Sequence, residues 1–435
     1  MTKRGFASWG RYPHSEQSGL PLHWRSDIAS QLKGSGQLAW GNGRSYGDVC
    51  QASSGRVMPM RALNRLIDAD WETGVLRSEA GATLEEILAV AIPKGWFLPV
   101  LPGTQQVTLG GAVANDVHGK NHHRRGTFGS HVVSLELYRT DRGLLNCSRI
   151  NSAELFNATI GGLGLTGIIG SVEVQLQPLQ SSNIDSRCFR FQSLAEFLSL
   201  CEQYDTKSEY SVAWLDCTAK DARGVFSCGN HADDGAAEVA VKGRLKVPFA
   251  PPLSPINRPS VALINRFLYR WQGRKPRLRQ GYRDFLCPLD GIAHWNRAYG
   301  RAGFQQYQCV IPRPEAEAAL EEILARVRQA RQGSFMSVLK VCGKARSPGL
   351  LSFPLPGISL ALDFPQRPAL NPLFRDLDAI VSSSGGRLYP AKDAHMSAEH
   401  FQQGYPRWAE LESLRDPALL SRFWQRVTDA AGCVR

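Results

Sequence analysis

The sequence predicts an α+β protein built from two parts and a shorter C-terminal segment. At roughly 150 residues per domain, a chain of 435 residues has room for more than one buried core. The first 180 residues or so are punctuated by glycine and contain short alternating segments, whereas glycine becomes sparser from about residue 182. We therefore expect one domain over residues 1–181, a second over 182–386, and a segment over 387–435 that returns to the first.

Individual elements support the mixed class. Thr83 is placed to cap a helix whose first turn is acidic and whose apolar positions fall on one face. Alternating apolar residues predict strands through Leu135 and Val174, with a turn at residues 141–143. In the second part, the clearest helix runs from about Glu315 to Ala330, with acids leading and arginines trailing.

Composition indicates a folded, soluble protein. Hydrophobic residues make up 43% and charged residues 21% of the chain, values typical of globular proteins. No window reaches the 18 or so apolar residues that cross a bilayer, and the N-terminus lacks the apolar stretch of a signal peptide. The ten cysteines form no Cys-x-x-Cys pair, so we expect reduced thiols in a cytoplasmic protein.

The net charge of +12 is concentrated in one stretch. No acid occurs between Glu238 and Asp284, where eleven basic residues do: Lys242, Arg244, Lys246, Arg258, Arg266, Arg270, Arg274, Lys275, Arg277, Arg279 and Arg283. Apolar residues at helical spacing from Ile264 to Trp271 favour a basic amphipathic helix on an anionic membrane surface. Five prolines between residues 248 and 259 equally favour a flexible, solvated loop.

Three glycine-rich strings dominate the first part: GNGRSYGD (41–48), LPGTQQVTLGGAVANDVHGKNHH (101–123) and GGLGLTGII (161–169). Glycine allows positive φ and lacks Cβ, so backbone N–H groups can approach an anion such as a pyrophosphate. No Gly-Lys-Ser/Thr follows, which excludes a P-loop, and no βαβ unit with a later acid indicates a Rossmann fingerprint. The three strings together predict a dinucleotide site.

In this order and spacing, the strings resemble the FAD-binding domain of the vanillyl-alcohol oxidase superfamily, the p-cresol methylhydroxylase (PCMH)-type flavoenzymes. With HWNRAYGRAGFQQYQ (294–308), LSFPLPG (351–357) and GRLYPAKD (386–393), the sequence bears a still closer resemblance to the decaprenylphosphoryl-β-D-ribose 2-oxidase family within it. The resemblance runs from about Trp40 to the C-terminus. It implies a two-domain PCMH-type fold in which an antiparallel sheet and helices of the substrate domain cover the flavin.

The resemblance also implies which residues hold FAD. They are Gly41, Asn42, Gly43, Arg44, Ser45, Tyr46, Gly47, Asp48, Gly103, Thr108, Leu109, Gly110, Gly111, Asn115, Asp116, Val117, His118, Ile168 and Tyr389. Many covalent flavoproteins of the superfamily carry histidine before the serine of the first string, where this chain has Arg44. We therefore expect FAD to be bound noncovalently.

The implied reaction is oxidation of a secondary sugar hydroxyl, the 2′-OH of a polyprenyl-phosphate-linked ribofuranose, to a keto sugar. Lys392 matches the active-site lysine, which can stabilise negative charge or assist loss of the hydroxyl proton; Tyr46 and His118 match residues close to flavin or substrate. The residues that correspond to the wall of the family's substrate pocket are Trp214, Gln306, Gln308, Lys340, Ser359 and Lys392. A separate nicotinamide-dependent short-chain reductase would reduce the ketone, and an alditol or aldonolactone oxidase acting on a soluble polyol is the alternative.

The chain departs from mycobacterial members of that family on this wall. Ala361 replaces a cysteine, Ser359 an asparagine, and Leu286-Cys287 a Tyr-His pair. These changes put the identity of the sugar and the lipid in doubt, and inhibitors that trap the cysteine are not expected to react. They leave the glycine strings and Lys392 unchanged.

Two other hypotheses compete with a flavoenzyme. His118, His122, His123 and His131 with Asp116 suggest a metal site, but their order lacks a two-His-one-carboxylate set or a helical His-x-x-x-His arrangement, and they fall inside the flavin motif. We expect no metal. The basic stretch alone suggests a nucleic-acid binder, but it has few interleaved aromatic residues and no recognised binding module. We expect peripheral contact with the inner face of the cell membrane instead.

Overall fold

A computed structural model describes residues 5–239, 245–272 and 276–428. It is an α+β fold with two large antiparallel sheets. Within the described residues, the strands are β1 (Ser18–Gly19), β2 (Leu38–Trp40), β3 (Arg56–Pro59), β4 (Leu66–Asp70), β5 (Val75–Glu79), β6 (Trp96–Phe97), β7 (Val132–Arg139), β8 (Gly143–Ser148), β9 (Ile168–Gln175), β10 (Gln177–Pro178), β11 (Asn183–Phe191), β12 (Tyr210–Leu215), β13 (Gly224–His231), β14 (Leu245–Lys246), β15 (Arg277–Gly281), β16 (Ile292–Ala293), β17 (Phe304–Pro312), β18 (Ser337–Cys342), β19 (Gly357–Pro365) and β20 (Arg387–Leu388).

The helices fill the spaces around these sheets. Over the same residues, they are α1 (Asp27–Gln31), α2 (Leu84–Ala91), α3 (Leu109–Ala114), α4 (His122–Arg125), α5 (Ala153–Thr159), α6 (Leu194–Tyr204), α7 (Arg258–Gln272), α8 (Tyr282–Leu286), α9 (Ala316–Gln329), α10 (Leu370–Ser383), α11 (Ala398–Gly404), α12 (Trp408–Leu414) and α13 (Arg422–Thr428). None of these helices has the length and apolar character needed to cross a bilayer.

The first large sheet has five strands in the order β4-β5-β9-β7-β8. Apolar side chains of β9 and β7, such as Val172, Val174 and Leu135, are buried in a core that they share with α2 and α3. The predicted capping residue Thr83 accepts a hydrogen bond from Glu86 N, and the Glu86 carboxylate accepts one from Thr83 N. A reciprocal cap of this kind stabilises a helix end by about 1 kcal/mol. The predicted helix and both predicted strands are confirmed.

The second large sheet has eight strands in the order β15-β11-β13-β12-β18-β19-β17-β20, all paired antiparallel. The predicted helix over 315–330 is α9, whose buried residues Leu320, Ile323 and Val327 share a core with this sheet. Helices α6 and α10 join the same core. This packing leaves the other face of the sheet to form a cavity wall.

The C-terminal segment contacts the eight-stranded sheet and also residues near the start of the chain. β20 pairs with β17 in the eight-stranded sheet, whereas Leu419 and Ser421 form bridges with Gln37 and Ala52. The division at residues 181 and 386 stays a prediction.

The basic stretch is helical over residues 258–272. The alternative of a flexible, solvated loop is therefore wrong for that part, and the prolines at 248–255 precede the helix instead of interrupting it. Lys242, Arg244, Arg274 and Lys275 lie outside the described residues, as does Cys433. The nine cysteines that the structure describes are free thiols.

Candidate active site

A cavity of about 1060 Å³ lies between the glycine-rich strings and the eight-stranded sheet. The structure brings most of the predicted site residues to its wall. They are Gly41, Asn42, Gly43, Arg44, Ser45, Tyr46, Gly103, Thr108, Gly110, Gly111, Asn115, Val117, His118, Trp214, Gln306, Gln308, Lys340, Ser359, Tyr389 and Lys392. One cavity thus contains both the predicted cofactor residues and the predicted substrate residues.

The first glycine string begins where β2 ends and passes close to the second string. A Cβ on Gly41 would lie 2.4 Å from Thr108 Oγ1, a contact that no side chain tolerates without movement. Gly43 has a φ of +58°, which favours glycine. Tyr46 N donates a hydrogen bond to Ala391 O at 2.9 Å, and this bond holds the string beside Lys392.

The three glycine-rich strings together form a cradle on one side of the cavity, and this cradle fits a dinucleotide such as FAD. Its glycines expose backbone along the cavity wall, and the third string contributes Gly164 and Gly167 to the same wall. Asn115 Oδ1 is buried and has no hydrogen-bond partner among the described residues, so it can accept a bond from a ligand. The Asn115 backbone carbonyl accepts a bond from the Tyr389 hydroxyl at 3.1 Å, which fixes this part of the wall.

Two predicted cofactor residues have other partners. Asp48 is buried and pairs with Arg426 of α13, at 2.9 Å between Oδ1 and Nη2. Asp116 is buried and accepts hydrogen bonds from Gly129 N and from the hydroxyls of Ser347 and Ser352. Both carboxylates are used to hold the fold together and lie off the cavity wall.

Three more predicted cofactor residues also lie off this wall. Leu109 and Ile168 are fully buried in the core, and Ile169 faces the cavity in place of Ile168. Gly47 packs so tightly against the Asp393 backbone that a Cβ would lie 1.7 Å from its carbonyl oxygen. These three residues support the glycine-rich strings on the side that faces away from the cavity.

The opposite wall is one face of the eight-stranded sheet. Residues paired across antiparallel strands point to the same face, and the register aligns Gln308 with Ala361, Ala361 with Val338, and Val338 with Trp214. In the neighbouring rows Lys340 lies opposite Ser359 and Gln306 opposite Asp363. The register therefore collects polar side chains from four strands into one site.

Lys392 lies over the ring of Tyr46, with Nζ 3.6 Å from the ring centroid. Burial lowers the pKa of Lys392 to about 7, against the negative charge of Asp363, which raises it. Burial also raises the pKa of Asp363 to about 7, although Gln306 Nε2 donates a hydrogen bond to Asp363 Oδ1 at 2.5 Å. The amine form of Lys392 is therefore populated near neutral pH and can accept a proton.

His118 and Lys340 are joined in the same cavity. Lys340 Nζ contacts His118 Nδ1 and donates to Gly119 O at 3.0 Å. Burial, together with the nearby Lys340 charge, lowers the pKa of His118 well below its usual range. His118 is thus a neutral imidazole, and when Lys340 Nζ donates to its Nδ1, the ring proton is on Nε2 and can be donated from there.

The sequence alone does not single out two ionisable residues of the site. Lys120, two residues after His118, lines the cavity, and burial lowers its pKa to about 8. Asp363 is a buried carboxylate in the otherwise apolar strand β19. A single acid in an apolar strand was the available signal for Asp363.

The other imidazoles of the histidine-rich stretch have separate partners. His122 Nδ1 accepts from Gly343 N, His123 Nε2 lies 3.1 Å from Ser208 O, and His131 Nε2 lies 3.0 Å from Arg125 O. These contacts distribute the rings over different neighbours. The expectation that they hold no metal stays a prediction.

The positions at which the chain departs from its mycobacterial counterparts are part of the site. Ser359, Ala361 and Leu286 line the cavity, and Cys287 is buried beside them with its thiol 3.4 Å from Pro102 O. Small and apolar side chains therefore form this part of the wall.

Comparison with known proteins agrees with this geometry. Residues 33–148 match the family described as FAD binding domain. The chain is 36% identical over 406 residues to decaprenylphosphoryl-beta-D-ribose oxidase of Mycolicibacterium smegmatis, covering 89% of this chain and 88% of that protein. It is 32% identical over 354 residues to an uncharacterized protein of Streptomyces coelicolor, covering 77% of this chain and 95% of that protein.

A more distant similarity is limited to part of the chain. Mouse L-gulonolactone oxidase is 29% identical over 173 residues, which is 39% of this chain and 38% of that protein. The extended similarity to the mycobacterial enzyme spans both cavity walls. The protein is accordingly an FAD-dependent oxidoreductase that belongs to the PCMH-type flavoprotein family of decaprenylphosphoryl-beta-D-ribose oxidase.

Proposed function

We propose that the protein oxidises the 2′-hydroxyl of a polyprenyl-phosphate-linked β-D-ribofuranose to the 2′-keto sugar. The observation that supports this best is the shared cavity: a dinucleotide cradle faces a sheet wall that carries amides and lysines suited to a phosphorylated sugar. In the two-domain arrangement that we propose, residues 182–386 close this cavity over the cofactor. The similarity to the mycobacterial oxidase over 89% of the chain adds to the argument.

Oxidation of a hydroxyl group to a ketone requires an acceptor for a hydride and an acceptor for a proton. FAD, when bound, would supply the acceptor for the hydride of the carbinol carbon. The hydroxyl proton leaves to a base of the protein as the C–O bond becomes a carbonyl. Lys392 is the base in this proposal, because its lowered pKa makes the amine available near neutral pH. Tyr46 positions Lys392 through the ring contact.

The rest of the wall recognises the substrate. Gln306 and Gln308 present amides to sugar hydroxyls, and Trp214 offers a flat apolar surface. Burial lowers the pKa of Lys120 and of Lys340 to about 8 in each case, so both remain mostly protonated at neutral pH and can bind a phosphate.

Reduction of the bound flavin tests the proposal directly. Under anaerobic conditions, the FAD-loaded protein should lose its flavin absorbance on addition of a polyprenyl-phosphoryl ribose and keep it with the matched arabinose epimer. Soluble alditols and aldonolactones belong in the same panel because of the partial similarity to L-gulonolactone oxidase. Bleaching by the soluble polyols alone would replace the lipid-sugar proposal with the second function.

The proposal extends to the cofactor linkage and the next reaction. Arg44 stands where covalent relatives carry histidine, and its guanidinium lies 4.1 Å from the Trp9 ring centroid. We expect acid precipitation to release FAD into the supernatant; flavin that stays in the pellet would contradict noncovalent binding. The keto sugar is the substrate that a nicotinamide-dependent short-chain reductase would convert to the arabino epimer, in a cytoplasmic pathway.

A further inference from the structure

Helix α7 has an outer face that is apolar and exposed. Leu263, Ile264, Phe267 and Trp271 are 72%, 41%, 65% and 57% exposed, respectively. Ile264, Phe267 and Trp271 follow one another at spacings of three and four residues, which places them on a single stripe. We call these four residues the α7 outer face.

The inner side of the same helix is anchored. Val261 and Asn265 are buried, and Asn265 Nδ2 donates a hydrogen bond to the buried Asp216 at 2.9 Å. Tyr269 is contacted by the guanidinium groups of Arg190 and Arg223. The exposed apolar face therefore belongs to a helix that is fixed on the eight-stranded sheet.

Positive charge borders the α7 outer face. Arg266 and Arg270 are exposed on the adjacent side of the helix, and Arg258 is exposed at its start. The stretch between Glu238 and Asp284 contains no acid to offset them. An apolar stripe with aromatic side chains next to arginines is complementary to a bilayer with anionic headgroups.

The cavity reaches the surface beside this face. Leu268 and Trp271 of α7 and Leu278 of β15 line the cavity, and Trp271 and Leu278 are also substantially exposed. A ligand in the cavity can therefore extend an apolar chain to the surface at the point where α7 presents its outer face.

From these observations, we infer that the α7 outer face docks on an anionic lipid surface and delivers the mouth of the cavity to the bilayer. A polyprenyl chain would then remain in the membrane while its sugar enters the site. This last step rests on the proposed function, whereas the docking itself does not, because it needs only the exposed side chains of α7.

Vesicle co-sedimentation of the FAD-loaded full chain tests the docking without any substrate. We expect binding to vesicles of equimolar phosphatidylcholine and phosphatidylglycerol and much weaker binding to phosphatidylcholine alone. Neutralising Arg266 and Arg270 together, as Arg266→Gln with Arg270→Gln, should weaken binding to the anionic vesicles about 30-fold, because each basic residue near such a surface contributes roughly fivefold. Replacing Leu263 and Phe267 by serine should weaken it about 10-fold or more.

Matched controls use exposed residues on other elements. Leu144→Ser with Ile150→Ser removes exposed apolar side chains in and after β8, and Lys33→Gln with Arg142→Gln removes exposed charges. Both control pairs should bind vesicles as the unsubstituted protein does. Retention of FAD and an unchanged thermal transition show that each variant is folded.

Three outcomes would overturn the inference. They are no vesicle binding by the unsubstituted protein, equal binding to neutral and anionic vesicles, or variants of α7 that bind as well as the controls. Sedimentation velocity tests the alternative that a second copy of the chain covers the α7 outer face. This alternative would hold if the protein does not bind vesicles but forms a dimer that the Leu263 and Phe267 substitutions dissociate. If the protein does not bind vesicles but still oxidises a short-chain, water-soluble substrate, the docking is rejected and the proposed function stands.

Discussion

The two walls of the cavity are built in different ways. The cofactor wall comes from contiguous strings in which glycine lets the backbone itself form the surface, and two of the three strings lie within the match at residues 33–148. The substrate wall is made of side chains from four strands, β12, β17, β18 and β19, which the sheet register brings together. A backbone wall suits a cofactor common to many enzymes, whereas a side-chain wall can change its specificity one residue at a time.

Substitution of Lys392 should have the largest effect, and it should affect turnover without affecting FAD binding. Lys392→Met removes the proposed base but leaves the glycine strings intact, so turnover should fall about 1000-fold while FAD remains bound. Single-turnover flavin reduction measures the first effect, and the visible spectrum after gel filtration measures the second. Lys33→Met, at an exposed position after α1, is the control; turnover by Lys392→Met within a few-fold of the control would remove Lys392 from the proton transfer.

Asp48 tests whether a residue of the first string acts through the fold instead of the cofactor. Asp48→Asn leaves Arg426 paired with Asp393 alone, at 2.8 Å, and should lower the free energy of unfolding by about 2 kcal/mol. Urea denaturation measures this loss, with the exposed Asp68→Asn as control. If instead FAD affinity falls and stability does not, Asp48 belongs to the cofactor wall after all.

Gly41 tests the backbone character of the cofactor wall. Gly41→Ala places a methyl group against Thr108 Oγ1, which caps α3 by accepting a hydrogen bond from Gly111 N. Displacing that side chain should weaken FAD binding about 10-fold, in line with the cost of overpacking and a lost cap. Gly291→Ala is the control, since its added Cβ meets no atom within 4 Å. Equal FAD dissociation constants for the two variants would contradict a close-packed cradle.

The features that the sequence predicts are those whose signal is local. The capping residue Thr83, the helix over 315–330 and the glycine strings depend on neighbours within a few positions, and all were predicted. A contact whose partner comes from far along the chain leaves no such local signal. Asp48 pairs with Arg426, 378 residues away, and nothing near Asp48 in the sequence indicates this.

The substrate wall shows the same limit more strongly. Gln306 and Gln308 were identified through a resemblance, because two glutamines on one strand are not by themselves a site. Asp363 was missed, since its role depends on the pairing of β17 with β19 and on burial beside Lys392. Register between distant strands is set by the whole sheet and cannot be derived from local periodicity.

Asp363 provides the finest test, because its substitution by asparagine removes a charge that acts on Lys392 without changing the shape of the substrate wall. The negative charge of Asp363 raises the pKa of Lys392, in opposition to burial. Asp363→Asn removes that charge, so the pKa of Lys392 should fall below its value of about 7. A base works above its own pKa. The acidic limb of the kcat profile should therefore move to lower pH, while the plateau stays within about a factor of ten.

A pH profile of flavin reduction separates this effect from a structural one. The control is Asp378→Asn, another buried aspartate, which accepts a hydrogen bond from the Tyr307 hydroxyl at 3.0 Å and is not among the charges that shift the pKa of Lys392. Its acidic limb should stay in place even if its stability falls. A shift of the Asp363→Asn limb to higher pH would contradict the coupling. If activity is instead lost as the pH rises through the pKa of Lys392, the protonated form of Lys392 is the active one. Lys392 would then contribute to the substrate side of the cavity as a cation that stabilises the developing alkoxide and not as a proton acceptor.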